Sequence, residues 1–354
     1  MQSALTGRSG ARLPMHYLAF LTRRTGWAVV VLVGLSILMF VLARIVPGDP
    51  GRLALGPNAT AAQVQALDRD MGLEQPIYIQ YARYLSGVAR GDFGTSLLTR
   101  RNVFDDVRDT FPATLELVLA STLIVVVVGV PLGVLSALYR DGPLDALSRL
   151  LALFGVAIPD FLVGIILQII FGYTLGVLPV SGQIDPNLSF HATITGMLVL
   201  DAFVRHSWGV LGSALQHLLL PAVALSAAGL AQVVRLVRAS MIDVSKKEHV
   251  RAMLARGVPR ARVAFKYTLK PALIPALTVV GLTFASLFGE AFLIEAVFGW
   301  PGIASYGVRV MLEKDLNAIV GVVLVVGLMF SISNLAMDLL RGYLDPRIRQ
   351  KGTA

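Results

Sequence analysis

Six long apolar stretches separated by polar segments organise the chain. They cover about Trp27 to Val46, Ala113 to Leu138, Leu147 to Leu175, Ala214 to Val237, Ala272 to Val297 and Ala318 to Leu340. A helix of roughly 20 apolar residues crosses about 30 Å of hydrocarbon, so each stretch is long enough to span a bilayer. The pattern therefore predicts an all-α membrane protein with six transmembrane helices. Pro159 lies inside the third stretch and predicts a tilt or a kink there. Arg23 and Arg24 before the first stretch resemble a signal-peptide start. Its apolar core, however, exceeds the roughly 7–15 residues of a signal h-region, so it is expected to stay as a span.

The polar segments give the orientation. Arg8, Arg12, Arg23 and Arg24 precede the first span, and Arg140 and Arg149 flank the loop after the second. Ten of the 31 Lys and Arg fall between Arg235 and Lys270, and Arg341, Arg347, Arg349 and Lys351 follow the last span. The loops between spans 3 and 4 and between spans 5 and 6 carry only Arg205, Arg309 and Lys314. Short basic loops stay cytoplasmic, which predicts that both termini are cytoplasmic. The expected organisation is a cytoplasmic segment 1–26, a first span 27–46, an extracytoplasmic cap 47–112, a membrane domain 113–341 and a cytoplasmic tail 342–354. The cap segment is too long to be structureless. "AAQVQALDRDMGL" and "PIYIQYARYLSGVAR" within it each read as a short helix.

Composition agrees with this reading. Of 354 residues, 55% are hydrophobic and 15% charged, and the mean hydropathy is +0.71. A soluble domain carries about 25% charged residues. The formal charge of +9 could point to nucleic acid, but basic residues clustered beside spans mark cytoplasmic loops and membrane lipid instead. No cysteine is present, which excludes disulfide and thiolate chemistry. Five scattered His without H-E-x-x-H give no support for a zinc site or any other metal.

Between the fourth and fifth spans lies "SKKEHVRAMLARGVP", residues 245–259. Ser245 followed by Glu248 is a capping-box pattern, Gly257 predicts a left-handed stop, and Pro259 prevents continuation. About 11 helical residues, roughly 16 Å, lie between them. A helix so short is marginal alone in water and must dock on something. Val250, Met253 and Leu254 form its apolar stripe. On physical grounds alone, the membrane surface is the favoured resting place, with a groove in a cytoplasmic protein the alternative.

The order of short motifs changes that balance. "VPGDP" (46–50), "GDFGTSL" (91–97), "FPATLEL" (111–117), "GVPLG" (129–133), "AIPDFLVG" (157–164) and "GVLPVSG" (176–182) are followed by "LLLPAVAL" (218–225), "VRASM" (237–241), "EAVFGWPGI" (295–303) and "YLDPRIR" (343–349). In this order they resemble the integral-membrane permease subunits of ATP-binding-cassette (ABC) importers, in the dipeptide, oligopeptide and nickel branch. "RAMLARG" sits where those subunits carry the EAA loop, with Arg251, Ala252 and Met253 at the E-A-A positions. Arg in place of Glu fits that branch. Tyr267 and Leu269 match the apolar places downstream, while Lys270 departs from the usual Pro.

The resemblance implies that residues 240–270 form a coupling loop. Ser245, Glu248, Val250, Arg251, Ala252, Met253, Leu254 and Gly257 would build a coupling helix that docks on an ATPase subunit. It also implies partners: a second related permease, two ABC ATPases and an external or periplasmic solute-binding protein. The locale implied is a prokaryotic inner membrane, with peptides as cargo and nickel chelates or oligosaccharides as alternatives. The chain itself has no G-x-x-x-x-G-K-[ST], hence no phosphate-cradling loop and no cofactor of its own; ATP would be used by the partners.

Other polar residues near spans have plainer readings beside functional ones. Glu295 and Glu116 stand near outer span ends where water is expected to reach them, and Glu290 lies deeper as a candidate pathway lining. Proton coupling is the weaker reading for all three. Pro159 with Asp160 could line a pathway, although a local cap on the kink is favoured. Trp300, Pro301 and Gly302 read equally as an aromatic belt residue with a turn or, by the resemblance, as a re-entrant outer gate. Gly129 and Gly133 mimic a helix-packing motif, but Pro131 between them favours a kink. A secondary transporter would show internal repeats and paired midplane charges. An intramembrane hydrolase would need G-x-S-x-G or H-E-x-x-H. The sequence shows no such charge pairing and neither hydrolase motif.

Overall fold

The computed structural model describes residues 15–45, 60–70, 75–191 and 194–344. The motif at 46–50, the residues before Met15 and those after Leu344 lie outside the described residues. Among the described residues the fold is helical, apart from one isolated bridge between Thr95 and Asn102. The elements are α1 (Met15–Ile45), α2 (Ala61–Asp70), α3 (Ile77–Ala89), α4 (Val103–Ile124), α5 (Val130–Leu138), α6 (Pro143–Ala157) and α7 (Asp160–Leu167). They continue as α8 (Leu198–Val204), α9 (Trp208–Ser245), α10 (Glu248–Ala255), α11 (Arg260–Arg262), α12 (Leu269–Phe298), α13 (Ile303–Leu312) and α14 (Leu316–Leu344).

Among the described residues, five helical stretches are long and apolar enough to cross a membrane: Thr25–Leu42, Val103–Leu138, Trp208–Ser245, Arg260–Phe298 and Leu316–Met337. A sixth is a broken pair, α6 with Asp160–Thr174, bent by 110° at Pro159. The expected kink is therefore a full break. Proline removes an intrahelical donor and drives the residue before it out of the helical region, and Ile158 is extended at φ −99° and ψ 127°.

Two boundaries and one expected kink differ from the sequence reading. The second spanning helix begins at Val103 rather than Ala113, because Asn102 caps it through Phe104 N at 2.8 Å and the helix runs through Pro112. The fourth reaches Ser245, a helix of 38 residues. At 1.5 Å per residue that is about 57 Å, well beyond a hydrocarbon core of about 30 Å. The expected kink at Pro131 is absorbed by a π-helical turn, Val125–Gly129, within one continuous span. Gly129 and Gly133 are packing positions after all. A Cβ on Gly133 would overlap Val237 and the Val234 carbonyl of α9, so glycine here allows two helices to approach closely, as small residues do in lipid.

Helix α9 is the axis of the bundle and lies against α4, α5, α6, α7 and α12. Its N-terminal half, labelled outer only after the orientation expected from the basic loops, joins one apolar cluster with Leu117, Leu287, Phe288, Ile294 and Phe298. Its C-terminal half, labelled inner on the same expectation, joins a second with Val125, Val250, Val263 and Ala272. A buried polar clamp holds α6 to its inner half. Asp145, fully buried, accepts Arg238 Nε at 2.5 Å and Nη2 at 2.8 Å, Ser136 Oγ at 2.6 Å and Asp141 N at 3.0 Å. Such a carboxylate is tolerated in a membrane because its lone pairs are filled. Both expected short helices between spans 1 and 2 are present as α2 and α3, and Met71–Leu73 of the first fall outside the described residues. Helix α3 packs Tyr81 and Tyr84 on Phe40 of α1, with Tyr81 Oη 2.9 Å from Ser36 Oγ.

Candidate functional sites at the two ends of the bundle

The inner candidate is α10. It ends as the sequence predicts: Gly257 sits at φ +76°, and Val258 N donates to Met253 O at 3.1 Å, closing the terminal turn. Its start differs. Ser245 is the last residue of α9 and bonds back to Ile242 O at 2.7 Å, so no capping box forms. Lys247 takes the N-cap position with no side-chain bond, and its carbonyl accepts from Val250 N and Arg251 N. Glu248 is the first helical residue.

The apolar stripe also divides. Val250 is 2% exposed and turned into the inner cluster beside Val237, Met241 and Val244, so it anchors the helix to its own chain. Met253 is half-buried against the same cluster. Arg251, Ala252, Leu254, Ala255 and Arg256 face outward, with Leu254 43% exposed. The stripe is therefore not open as a whole: Leu254 is its exposed member, and Ala252 is exposed on another side of the helix.

The outer candidate is the turn after α12. That helix ends at Gly299 in the left-handed conformation, φ +56°, and Trp300 N returns to Glu295 O at 2.9 Å. Glu295 is fully buried. It accepts Thr114 Oγ1 at 2.5 Å and Ser305 N at 2.8 Å. Thr114 Oγ1 in turn accepts Ile303 N at 2.9 Å, and Trp300 Nε1 donates to Ala113 O at 2.9 Å. One knot thus joins α4, α12 and the start of α13. Gly302 closes it, since a Cβ there would collide with the Glu295 carboxylate and the Thr114 hydroxyl.

Two expectations are corrected here. Glu295 is not reached by water, and neither is Glu116, which is 5% exposed and accepts Val199 N at 2.6 Å from α8. Trp300, 1% exposed, is no aromatic-belt residue; Pro301 beside it is exposed. Asp160 opens α7 at its first helical position, and no side-chain bond caps the break. It is partly buried, with Oδ1 unpartnered, and it lies within electrostatic reach of the exposed Glu290.

Sequence reasoning passed over a second outer fastening. Asp315, fully buried, accepts Ser96 Oγ at 2.6 Å and the amides of Leu97 and Leu98 at 2.6 and 3.2 Å. Asp106 accepts Thr99 Oγ1 at 2.5 Å and Tyr306 Oη at 2.9 Å. Burial, with the Asp106 carboxylate beside it, holds the Tyr306 phenol above its usual range, so the donor keeps its proton. The motif "GDFGTSL" and the residues that follow it are therefore bolted to α13 and α14. Asp201 fixes the loop before α8. Burial alone would raise its carboxyl, but hydrogen bonds from Thr195 and Ile194 hold it below the usual range.

Comparison with known proteins gives the context for these two ends. The family described as binding-protein-dependent transport system inner membrane component matches residues 129–350. The N-terminal family of the same membrane components matches residues 17–118. The probable D,D-dipeptide transport system permease protein DdpB of Escherichia coli (strain K12) is 37% identical over 338 residues, covering 96% of this chain and 99% of that protein. The dipeptide transport system permease protein DppB of Alkalihalophilus pseudofirmus is 36% identical, covering 94% and 99%. The glutathione transport system permease protein GsiC of Escherichia coli (strain K12) is 34% identical, covering 89% and 94%. With matches along almost its whole length, the chain belongs to the family of binding-protein-dependent transport system inner-membrane components.

Proposed function

We infer that this chain is the permease subunit of an ATP-driven importer and forms half of a translocation pathway for peptides. The relatives named as dipeptide and glutathione permeases support peptides as the substrate class. The observation that carries the mechanism is α10, a short helix pinned by Val250 to the inner cluster and presenting Ala252 and Leu254 outward. A pinned helix passes displacement of a docked partner into α9 and α12, which share that cluster. The chain has no phosphate-cradling loop, so hydrolysis belongs to two ABC ATPase partners. A second related permease completes the pathway, and an external solute-binding protein delivers the cargo. Residues 1–26, the 240–270 loop and the tail are cytoplasmic, while 47–112 form the outer cap. Pro159, Asp160 and Glu290 face the pathway, whereas the knot around Glu295, Trp300 and Gly302 holds the outer gate.

Two measurements test this reading. The chain has no cysteine, so a single cysteine reports side unambiguously. Arg256→Cys is expected to react with a membrane-impermeant maleimide only in inverted vesicles; labelling from outside intact cells would overturn the topology. Purified alone, the chain is expected neither to bind nor to hydrolyse ATP. Turnover in a preparation free of other subunits would end the partner scheme.

A further inference from the structure

A cleft of about 430 Å³ lies between the inner halves of α6 and α9, and its chemistry is divided. Leu153, Val156 and Val234 give it an apolar wall, while Arg149, Arg235 and Arg238 give it a basic rim. The Ser148 hydroxyl along it is taken up by the Leu144 carbonyl at 2.8 Å. The wall therefore offers no free side-chain donor to a polar guest.

The rim carries surplus positive charge. Arg238 makes its two bonds to Asp145, whose oxygens also accept from Ser136 and Asp141. Arg149 approaches that carboxylate only to 3.7 Å and is 56% exposed. Arg235 is exposed and makes no ion pair with a carboxylate among the described residues. Two of the three guanidiniums thus share one carboxylate whose acceptor sites are already filled, and the third pairs with none among the described residues. Arg235 also stands near the end of the apolar run of α9, ten residues before Ser245, or about 15 Å from the helix end. With the inner side cytoplasmic, as the topology above has it, the rim lies at the level of the inner-leaflet phosphates and the wall at the level of the acyl chains.

We propose that this cleft binds one anionic phospholipid, with its phosphate between Arg149 and Arg235 and an acyl chain along Leu153, Val156 and Val234. Basic pockets between spanning helices on the cytoplasmic side suit acidic headgroups. The apolar wall disfavours a soluble anion or a peptide carboxylate. A zwitterionic lipid would bring its own ammonium against the surplus positive charge. The leaflet assignment rests on the proposed topology; the cleft and its chemistry do not.

The test uses the full chain in its assembled importer, equilibrated with mixed micelles of phosphatidylglycerol and phosphatidylcholine, with native mass spectrometry counting retained lipid. The wild type is expected to hold phosphatidylglycerol selectively. Arg149→Gln with Arg235→Gln should lower that retention about thirtyfold, from roughly fivefold per cation at a membrane surface. The Arg149→Lys and Arg235→Lys pair should restore most of it, which a folding defect would not allow. Glycerol phosphate has the headgroup chemistry without a chain and should not compete. Equal retention by wild type and the Gln pair overturns the site, as does displacement by glycerol phosphate. Lipid held by the isolated chain but absent from the assembled importer makes the cleft a protein interface and also overturns it. Selective retention together with outside labelling at Arg256→Cys would keep the site and reverse only the leaflet.

Discussion

Leu254→Asp is expected to reduce uptake to below about a tenth of wild type while leaving the protein in the membrane. Leu254 is 43% exposed on a helix otherwise held by Val250, so its side chain is available to a partner and adds little to the fold. Burying a leucine in a groove contributes about 1.5–3 kcal/mol, and an unpaired carboxylate in the same place costs several more. Either change alone is enough to release a docked ATPase at ordinary affinities, since about 1.4 kcal/mol is a tenfold change. Val250→Asp should fail differently. It places a charge inside the cluster of Val237, Met241 and Val263, and the chain itself should lose stability. Met253, half-buried on the same cluster, would mix the two effects. Uptake, co-purification with the ATPases and solute-stimulated ATP hydrolysis separate these cases. A helix that merely rests on lipid predicts a mild effect, because one interfacial contact barely shifts an anchored polytopic protein. Near-normal uptake by Leu254→Asp would remove the coupling role.

The substitution chosen depends on what the sequence could and could not disclose about α10. Gly257 and Pro259 stop the helix by local backbone rules, and those rules read directly from the sequence. The start did not read correctly, because α9 continues through Ser245 and uses its hydroxyl internally at 2.7 Å to Ile242. A local capping signal yields when a long packed helix competes for the same residue. The orientation of the stripe was hidden for a related reason. Val250 and Leu254 are equally apolar, and only the position of the inner cluster decides which turns inward.

The same division runs through the outer half. Apolar runs marked the five long apolar helices and the broken pair, and Pro159 marked the break, since both are local properties. The first ten residues of α4 read as cap because Asp105, Asp106 and Asp109 make them polar. Asp106 is nonetheless 4% exposed, since Tyr306 Oη reaches it from 200 residues away. Asp315 and Ser96 are 219 residues apart. Pairings at such separations leave no periodicity to read, and a buried carboxylate looks like a solvated one until its donors are located.

Glu295→Leu tests whether the outer knot is a structural fastening or a lining of the pathway. Removing the carboxylate leaves the Thr114 hydroxyl and the Ser305 amide without their acceptor in a fully buried place. Each unsatisfied buried donor costs about 1–3 kcal/mol, so the expected loss is roughly 2–6 kcal/mol. At about 2 °C per kcal/mol for a chain of this size, the thermal midpoint in detergent should fall by roughly 4–12 °C. Glu295→Gln retains one acceptor oxygen and should lose about half as much. Trp300 supplies a local reporter. It is 1% exposed and bonded to Ala113 O, whereas Trp27 and Trp208 are 62% and 61% exposed and can be replaced by Phe. In that background the emission of Trp300 should shift to the red in Glu295→Leu, because the Thr114–Glu295 link and the Trp300–Ala113 bond belong to one knot. Gly302→Val should give the same shift with the carboxylate intact, since its side chain must displace both Glu295 and Thr114. A pathway residue would behave otherwise. Uptake would fall while the midpoint and the Trp300 emission stayed at wild-type values, and that result would move Glu295 from the fastening to the pathway.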